Sequence, residues 1–567
     1  MSFTKRICLA LYNIIMMIEI TCKNTNETKS FPKGLSLLEL HNAFGNPLGD
    51  NLIAGIVNNK LRELDFEAFK PKIVEFIDLN HPLTKRMSQR SAIFVLYKAV
   101  RDVFPDANLR VEHTLPGGVY CEIDDLPCAM GQDVAQKLEV RIREIIDANL
   151  PFRRQELPTE EAIELFKKHR LFDKINSLDT RHSMFTSVYF LDNDVNYFYG
   201  YLLPSTGYLP PLEFEFFSNG FLMKTPFVNR TEATTNVNPD SKLFKVFRRY
   251  KEWLDVLDLH YIGDLNQRVK QQTYGDLIKI TEALQEKDIA QIADKIHKKS
   301  EAKMVLISGP SSSGKTTFSK RLSIQLQVVG LHPVVLELDN YFKNREDTPR
   351  DENGDYDFET IDALDVDLFN EHLVDLLAGK EIKPPTFNFY TGQREFRGNT
   401  LQLKKGSILV MEGIHGNTPK LTARVSDDLK YRIYVSALTP ISIDAHNPIP
   451  TADNRLLRRI VRDYRTRGYS AEDTINRWNS VRRGEEQHIF PFQEKADIMF
   501  NSALIFELSV LKTFAEPILR AVPETSTAFN DASTLLKFLT YFQPMSDREI
   551  PPTSILREFL GGSSFIY

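Results

Sequence analysis

One stretch of the chain has the residue types and spacing of a phosphate-binding loop. Gly309 and Gly314 bracket four residues, and Lys315 and Thr316 follow directly, which matches the pattern G-x-x-x-x-G-K-[ST] in full. Glycines let backbone N–H groups converge on phosphates, the lysine reaches the outer phosphates, and the threonine hydroxyl can bind Mg²⁺. The sequence therefore predicts a site for ATP and Mg²⁺. The loop residues predicted to bind ATP are Gly309, Ser311, Ser312, Ser313, Gly314, Lys315, Thr316 and Thr317.

Carboxylates stand at the ends of two strands predicted near this loop. Asp339 ends the apolar run PVVLELD, and Glu412 ends the run SILVME. The carboxyl ends of parallel strands form the edge at which α/β sheets bind ligands. We expect Asp339 to accept a proton from an attacking hydroxyl, to hold Mg²⁺, or both. Glu412 is expected to bind Mg²⁺ together with Thr316.

Four arginines follow one face of a predicted helix in the segment NRLLRRIVRDYRTRG. Arg455, Arg458, Arg459 and Arg462 stand at i, i+3, i+4 and i+7, so a helix presents them together. Only two acids lie near them in the sequence. Clustered guanidiniums repel one another unless an anion joins them, so this face is predicted to clamp a triphosphate.

The loop alone does not name the phosphate acceptor, because GTPases, motors and small-molecule kinases share it. GTPases of this class read guanine with an N-K-x-D element. The one Asn-Lys pair of the chain is Asn59-Lys60, and Leu-Arg follows it. The sequence therefore favours a small-molecule kinase over a GTPase.

Five segments between about residues 302 and 520 resemble the uridine kinases and their phosphoribulokinase relatives. Besides the loop they are DNYFKN…TIDALD, KPPTFNFYTGQREFRG, SILVMEGIH and the arginine-rich NRLLRRIVRDYRTRG. The resemblance implies an α/β fold with a parallel sheet, catalysis by Lys315 and Asp339, and transfer from ATP to a nucleoside ribose 5′-hydroxyl. The family's ATP-binding lid falls on Arg458 and Arg462. The implied substrate-binding residues are Tyr341, Asp362, Phe387, Phe389, Arg394 and Arg455.

The chain departs from this family where the acceptor base is read. Phe387, Asn388 and Gly392 stand where the family has Tyr, Asp and His. Replacing an imidazole by glycine removes a group that could read a pyrimidine edge. The activity of a kinase is therefore better supported than the choice of uridine. Two alternatives stay open, a kinase of another sugar or sugar phosphate and an RNA-associated nucleotide-binding switch.

The N-terminal half resembles two modules of threonyl-tRNA synthetase. Residues 17–78, with the words IAGIVNNKLRELDFEAF and KIVEFIDL, are similar to its small β-grasp TGS domain. Residues 79–235 resemble its α+β editing domain. In that family a metal-binding H-x-x-x-H lies on the first helix, and its two positions fall on Arg90 and Phe94 here. Neither residue can ligate zinc, so we expect a scaffold without editing chemistry.

The remaining sequence completes the expected organisation. Residues 236–300 are predicted to be a helical connector, 301–525 the kinase domain and 526–567 a C-terminal tail. Four cysteines and a net charge of −5 favour a cytoplasmic protein that is not a globally basic nucleic-acid binder. No membrane span is expected. The predicted partner is a small-molecule substrate, RNA binding through the N-terminal half is not favoured, and a homo-oligomer is left open.

Overall fold

The computed structural model describes residues 17–181, 183–224, 238–351, 354, 356–388 and 391–566. The chain divides into two compact units, of which the first comprises Met1–Val237, Ile443–Pro448 and Leu519–Tyr541. The second comprises Asn238–Ser442, Ile449–Ile518 and Phe542–Tyr567. Residues 526–541 of the predicted tail belong to the first unit and residues 542–567 to the second, and the tail as a separate segment stays a prediction. The other sequence-based boundaries within each half remain predictions.

The second unit is built around a five-stranded parallel sheet, as the resemblance implied. Its central strand, Met304–Ser308, is apolar apart from its last residue and buried at every position, because helices cover both faces of such a sheet. The strands in spatial order are His332–Glu337, Ser407–Glu412, Met304–Ser308, Lys430–Ser436 and Ile498–Asn501. A separate hairpin pairs Thr386–Asn388 with Gln393–Glu395.

The helices of the second unit begin with the charged segment before the phosphate-binding loop. This segment forms three helices, in agreement with its expected helical character. The helix Lys315–Val328 then follows the loop directly, so its N-terminus faces the carboxyl edge of the sheet. The helices of this unit are Lys242–Val256, Ile262–Lys270, Tyr274–Lys298, Lys315–Val328, Val366–Leu377, Thr451–Thr466, Ala471–His488, Glu507–Arg520 and Arg557–Leu560.

The first unit begins with a small mixed sheet that fits the predicted β-grasp module. The expected hairpin joins Met17–Cys22 to Glu27–Pro32, and a second turn places both Asn58 and Asn59 at positive φ, 46° and 59°. Asparagine tolerates that conformation better than most residues, so the Asn-Asn pair sets the turn. The strands in spatial order are Glu27–Pro32, Met17–Cys22, Lys72–Ile77, Ala54–Val57 and Lys60–Arg62.

The rest of the first unit is α+β. A four-stranded antiparallel sheet orders Glu213–Phe217, Gly220–Lys224, Gly118–Asp124 and Asn108–Leu115. A three-stranded sheet orders Arg153–Pro158, Phe185–Leu191 and Asp194–Asn196, and Leu35–Ser36 pairs with Glu67–Ala68. The helices are Leu37–Ala43, Thr84–Val103, Gln132–Asp147, Thr159–Lys168, Phe172–Asp179 and Phe529–Leu539. Within the described ranges of the whole chain, none of the helices has the length and apolar character needed to cross a membrane.

Candidate active site

The phosphate-binding loop joins the central strand to the helix Lys315–Val328. Gly309 adopts φ 155°, and a Cβ there would lie 2.0 Å from the Val435 carbonyl oxygen, so no larger residue fits. Gly314 adopts φ 82°, a left-handed conformation that favours glycine, and it caps the helix. The two glycines thus allow the close backbone path that the sequence pattern predicted.

Lys315, Asp339 and Glu412 lie together at the carboxyl edge of the sheet. The Thr316 hydroxyl donates a hydrogen bond of 2.9 Å to Glu412 Oε1, and Lys315 Nζ donates one of 3.1 Å to the Pro310 carbonyl. Burial raises the pKa of Glu412 to about 7, and the Asp339 charge adds to this while Lys315 opposes it. Asp339 is open to solvent, yet enough protein surrounds it that desolvation raises the pKa of its carboxyl against the pull of Lys315. The structure brings together all four residues predicted for catalysis and metal binding.

This arrangement fits a magnesium ion. Mg²⁺ is usually held by one or two carboxylates and by phosphate oxygens, with several water molecules retained. The Thr316 hydroxyl and the Glu412 carboxylate are already within hydrogen-bond distance of each other, as two ligands of one ion would be. Besides burial, the charge of Asp339 raises the pKa of Glu412, so a cation beside Glu412 would stabilise its ionised form. The residues present are therefore of the right chemistry.

The arginine helix, Thr451–Thr466, differs from the prediction at two positions. Arg455 and Arg458 are fully buried, and each is paired with a buried carboxylate, Glu485 and Glu507 respectively. These acids come from later helices and were invisible to a count of acids nearby in the sequence. Two guanidiniums that are already neutralised support the loop instead, since Arg455 Nη1 donates 3.0 Å to the Ser311 carbonyl. These ion pairs do not favour the expected roles of Arg455 in substrate binding and of Arg458 in ATP binding, and both roles stay predictions.

Positive charge exceeds negative charge around Arg459, Arg462 and Arg467, as the sequence predicted for this arginine-rich segment. All three pair with a single carboxylate, Asp463, at 3.3, 2.8 and 3.6 Å respectively. Repulsion from Arg462 lowers the pKa of Arg467 to about 10, with desolvation as the second cause. Arg459 Nη1 also donates 2.9 Å to the Ser311 hydroxyl of the loop. An anion at this position would relieve the repulsion. Arg467 lies beside Arg459 and Arg462 here, whereas the sequence had predicted a clamp of Arg455, Arg458, Arg459 and Arg462.

Asp362 lies beside a cavity that is large enough for a nucleoside. Its carboxylate accepts a 2.5 Å hydrogen bond from Lys420 Nζ, which lowers the pKa of Asp362. The cavity, of about 400 Å³, is lined by Ile361, His415, Thr418, Pro419, Lys420, Gln487, His488 and Phe492. Burial lowers the pKa of His415 to about 4, with repulsion from His488 as the next cause, so its imidazole is neutral at physiological pH. Sequence analysis did not predict His415 as a cavity residue. The one feature that could have indicated it is its position directly after the Glu-Gly-Ile segment.

The other expected substrate-binding residues take different places. Tyr341 is fully buried in the apolar core, where its hydroxyl bonds His372 Nδ1 at 2.8 Å. Phe387 is also in the core, with its ring centroid 5.6 Å from that of Phe342. Both aromatic side chains therefore pack inside the fold, which does not favour the substrate-binding roles expected of them, and those roles stay predictions. Arg394 pairs with Asp365 at 2.6 Å, and Phe389 lies outside the described residues.

The C-terminal residues of the second unit contact the phosphate-binding loop, which the sequence did not indicate. The backbone N–H and the hydroxyl of Thr317 both donate to Glu558 Oε2, at 3.1 and 2.7 Å. A Cβ on Gly314 would lie 2.5 Å from Ile555 Cγ2. A protein carboxylate thus occupies donors that were predicted to bind ATP.

In the first unit, Arg90 and Phe94 lie on the helix Thr84–Val103, as predicted. Phe94 is fully buried, with ring centroids 5.9 Å from Phe152 and 5.7 Å from Phe198. Arg90 Nε donates 3.0 Å to the Tyr201 carbonyl. Of the two expected ligand positions, that of Phe94 thus holds a buried apolar ring and that of Arg90 holds a cation.

Comparison with known proteins separates the two halves of the chain. The N-terminal region is similar to a threonine–tRNA ligase of Desulforamulus reducens, 30% identical over 199 residues, which are 35% of this chain and 31% of the ligase. The chain therefore spans about a third of the length of that relative. A solved structure described as a possible uridine kinase from Bacillus stearothermophilus is 20% identical, covers 35% of this chain and 89% of its own, and has a TM-score of 0.25.

The second unit gives the decisive match. The model of the "Phosphoribulokinase / Uridine kinase family" matches residues 304–507, which include the loop, Asp339, Glu412 and the arginine helix. A uridine kinase of Staphylococcus aureus is 31% identical over 194 residues, 34% of this chain and 84% of that enzyme. These matches support a P-loop phosphotransferase. The chain belongs to the phosphoribulokinase / uridine kinase family.

Proposed function

We propose that this protein is a Mg·ATP-dependent kinase that phosphorylates the ribose 5′-hydroxyl of a nucleoside. The observation that carries the proposal is the convergence of Lys315, Asp339 and the Thr316–Glu412 pair at one edge of the parallel sheet. This set combines a cation for the outer phosphates, a carboxyl for the acceptor proton and ligands for a metal. Positioning and charge neutralisation are most of what phosphoryl transfer requires.

Each group has a defined part in this proposal. Thr316 and Glu412 would hold Mg²⁺, which when bound neutralises charge on the phosphates. Lys315 binds the outer phosphates from one side, and the arginine clamp of Arg462 and Arg467 adds positive charge from the other. Asp339 accepts the proton of the attacking hydroxyl as its oxygen bonds to the γ-phosphorus and the bond to the ADP oxygen breaks. The products are a phosphate monoester and ADP.

The acceptor is proposed to occupy the cavity beside Asp362. A volume of about 400 Å³ suits a molecule the size of a nucleoside, and an ionised carboxylate is a good acceptor for two vicinal sugar hydroxyls. Three lining residues are apolar, and the polar ones are two histidines, a glutamine, a threonine and Lys420. The apolar side chains and the neutral polar groups would suit an uncharged sugar and base.

One observation favours the alternative of a sugar phosphate as acceptor. The Lys420 ammonium reaches the cavity, and it could pair with a phosphate on the substrate. That cation is already engaged by Asp362 at 2.5 Å, so a neutral nucleoside remains the better fit.

An acceptor screen tests the proposal. The full chain would be assayed for kcat/KM with Mg·ATP and uridine, cytidine, adenosine, their 2′-deoxy forms and ribulose 5-phosphate. We expect the ribonucleosides to be the best substrates, with smaller differences between bases than between sugars. Activity on ribulose 5-phosphate alone would transfer the assignment to the alternative. Absence of turnover with every acceptor would contradict both.

A further inference from the structure

The start of the helix that follows the phosphate-binding loop already holds an anion, which the chain itself supplies. Glu558 Oε2 accepts a hydrogen bond of 3.1 Å from the backbone N–H of Thr317 and one of 2.7 Å from its hydroxyl. Thr317 lies in the first turn of the helix Lys315–Val328, where N–H groups have no acceptor within the helix. Such groups bind anions well, because they carry the positive end of the helix dipole. One carboxylate oxygen therefore occupies two donors that were predicted to bind ATP.

The residues on either side of Glu558 fix it in this position. Arg557 Nη1 pairs with an Asp547 carboxylate oxygen at 2.8 Å, and Arg557 Nη2 donates 2.7 Å to the Asp547 carbonyl. Phe559 is fully buried, and the guanidinium of Arg458 lies 5.0 Å from the centroid of its ring. A cation over an aromatic face adds to the attraction between the two. The position of Glu558 thus follows from contacts that its neighbours make.

An apolar side chain from the same part of the chain lies against the loop. A Cβ on Gly314 would lie 2.5 Å from Ile555 Cγ2, so Ile555 packs directly on the backbone of this glycine. Ile555 is itself fully buried. We call residues 542–566 the C-terminal segment. This segment therefore contacts the start of the helix both with a charge and with an apolar group.

Glu558 brings negative charge to a site that already has two carboxyls. Burial is the largest cause that raises the pKa of Glu412, and the charges of Asp339 and Glu558 raise it further. Lys315 acts in the opposite direction on both Glu412 and Asp339. A triphosphate would add more negative charge at the same edge of the sheet. Repulsion between that charge and Glu558 opposes the presence of both at once.

We propose that Glu558 competes with ATP for the phosphate-binding loop, which makes the C-terminal segment autoinhibitory. A carboxylate oxygen and a phosphate oxygen are both anionic acceptors, and one N–H and one hydroxyl cannot serve both fully. ATP must therefore displace the Glu558 side chain before its phosphates can use Thr317. This proposal rests on the proposed function, since it requires that the loop bind ATP.

A purely supporting role for Glu558 predicts the opposite effect on ATP binding. If the carboxylate only satisfied the donors of Thr317, its removal would leave them without an acceptor and weaken the ATP-binding loop. If the carboxylate competes with ATP, its removal frees the same donors for phosphate and strengthens binding. The direction of the change in ATP affinity therefore separates the two roles.

Affinity for a non-hydrolysable ATP analogue tests the competition in the full chain. Glu558→Gln keeps the size of the side chain and removes its charge, and a neutral acceptor is held more weakly than a carboxylate. We expect calorimetry in the presence of Mg²⁺ to give a Kd about tenfold lower for Glu558→Gln than for the unaltered chain. Glu549→Gln, which changes an exposed acid of the same segment, is the matched control and should leave the Kd unchanged.

A second variant keeps the test decisive if Glu558→Gln does not fold. Glu558→Ala removes the acceptor altogether and should also bind the analogue more tightly than the unaltered chain. Equal or weaker binding by the folded variants would overturn the proposal, while binding by the unaltered chain would leave the proposed function standing. Absence of binding by every form would overturn both.

Turnover provides an independent measurement of the same competition. With the acceptor found in the screen, Glu558→Gln should lower the KM for ATP about tenfold and leave kcat unchanged, because the competitor acts before the chemical step. A fall in kcat at unchanged KM would instead place Glu558 in the transfer reaction and contradict the competition.

Discussion

The phosphate-binding site of the second unit and the synthetase-like region of the first unit differ in whether they keep the site residues expected from their relatives. Their relatives are equally similar, 31% identical in one case and 30% in the other. In the second unit Lys315, Asp339 and Glu412 are all present and come together. In the first unit the two positions at which metal ligands are expected hold Arg90 and Phe94 instead. Equal sequence identity thus hides the retention of the expected site residues in one region and their replacement in the other.

The largest expected effect is the loss of the loop lysine. Lys315→Ala should lower kcat/KM by at least about 10³-fold, because the outer phosphates lose their cation in the transition state. Steady-state assays would measure this, with Lys405→Ala, an exposed lysine of the same unit, as the control. Unchanged turnover in a folded Lys315→Ala protein would remove the loop from the mechanism and erase the contrast between the two regions.

Asp339→Asn should lower kcat by about 10²-fold or more with ATP affinity largely kept, since help from a general base is worth about that much. The comparison uses Glu337→Gln, an exposed acid two residues earlier, which should behave like the unaltered chain. If ATP affinity collapses with Asp339→Asn, this carboxyl chiefly organises the metal, and the proton acceptor must be another group.

Asp362 should set the preference for ribose over 2′-deoxyribose. One charge-assisted hydrogen bond to a sugar hydroxyl predicts a preference of roughly 10- to 150-fold in kcat/KM, which Asp362→Asn should largely remove. Asp367→Asn, an exposed acid nearby, should keep the preference. Equal rates on both sugars with the unaltered protein would detach Asp362 from the acceptor.

The buried imidazole of His415 predicts a smaller, pH-dependent effect on stability. Its pKa is about 4 against an ordinary 6.5, so below pH 6.5 the unfolded chain gains a proton that the folded chain refuses. Folding stability should fall by about 2 kcal/mol between pH 7 and pH 5 from this group. Urea titrations at both pH values would measure the free energy of unfolding of the unaltered chain and of His415→Asn. The fall between pH 7 and pH 5 should be larger for the unaltered chain. Identical pH dependence would contradict the buried, neutral state.

The last prediction is that the protein binds no stoichiometric zinc. Metal analysis of the purified full chain should find no stoichiometric zinc, because Arg90 and Phe94 supply neither imidazole nor thiolate. One zinc per chain would mean that other residues of the first unit rebuild the metal site, and the contrast with the second unit would fail.

Local patterns in the sequence predicted the parts of this structure that depend on near neighbours. The Asn58-Asn59 turn, the buried strand before the loop and the glycines of the loop follow from conformational preference and periodicity. Asp339 and Glu412 were found because strand ends meet at one edge of a parallel sheet. These inferences needed only short stretches of chain.

Contacts between residues that are far apart in the sequence account for the features that sequence analysis did not predict. Glu485 neutralises Arg455 from 30 residues away, and Glu507 neutralises Arg458 from 49 residues away. Glu558 reaches Thr317 across 241 residues. Tyr341 and Phe387 were expected to bind the substrate, whereas the structure buries both side chains in the apolar core. Tertiary packing alone decides such roles.

Transfer of the γ-phosphoryl group tests most directly whether the second unit has kept its chemistry. The full chain would be mixed with Mg²⁺, γ-labelled ATP and a ribonucleoside, and the labelled product would be identified by mass and by ³¹P NMR. We predict a nucleoside 5′-monophosphate from the unaltered chain and none from Lys315→Ala. Label that appears only in inorganic phosphate, or that never leaves ATP, would contradict the proposed kinase.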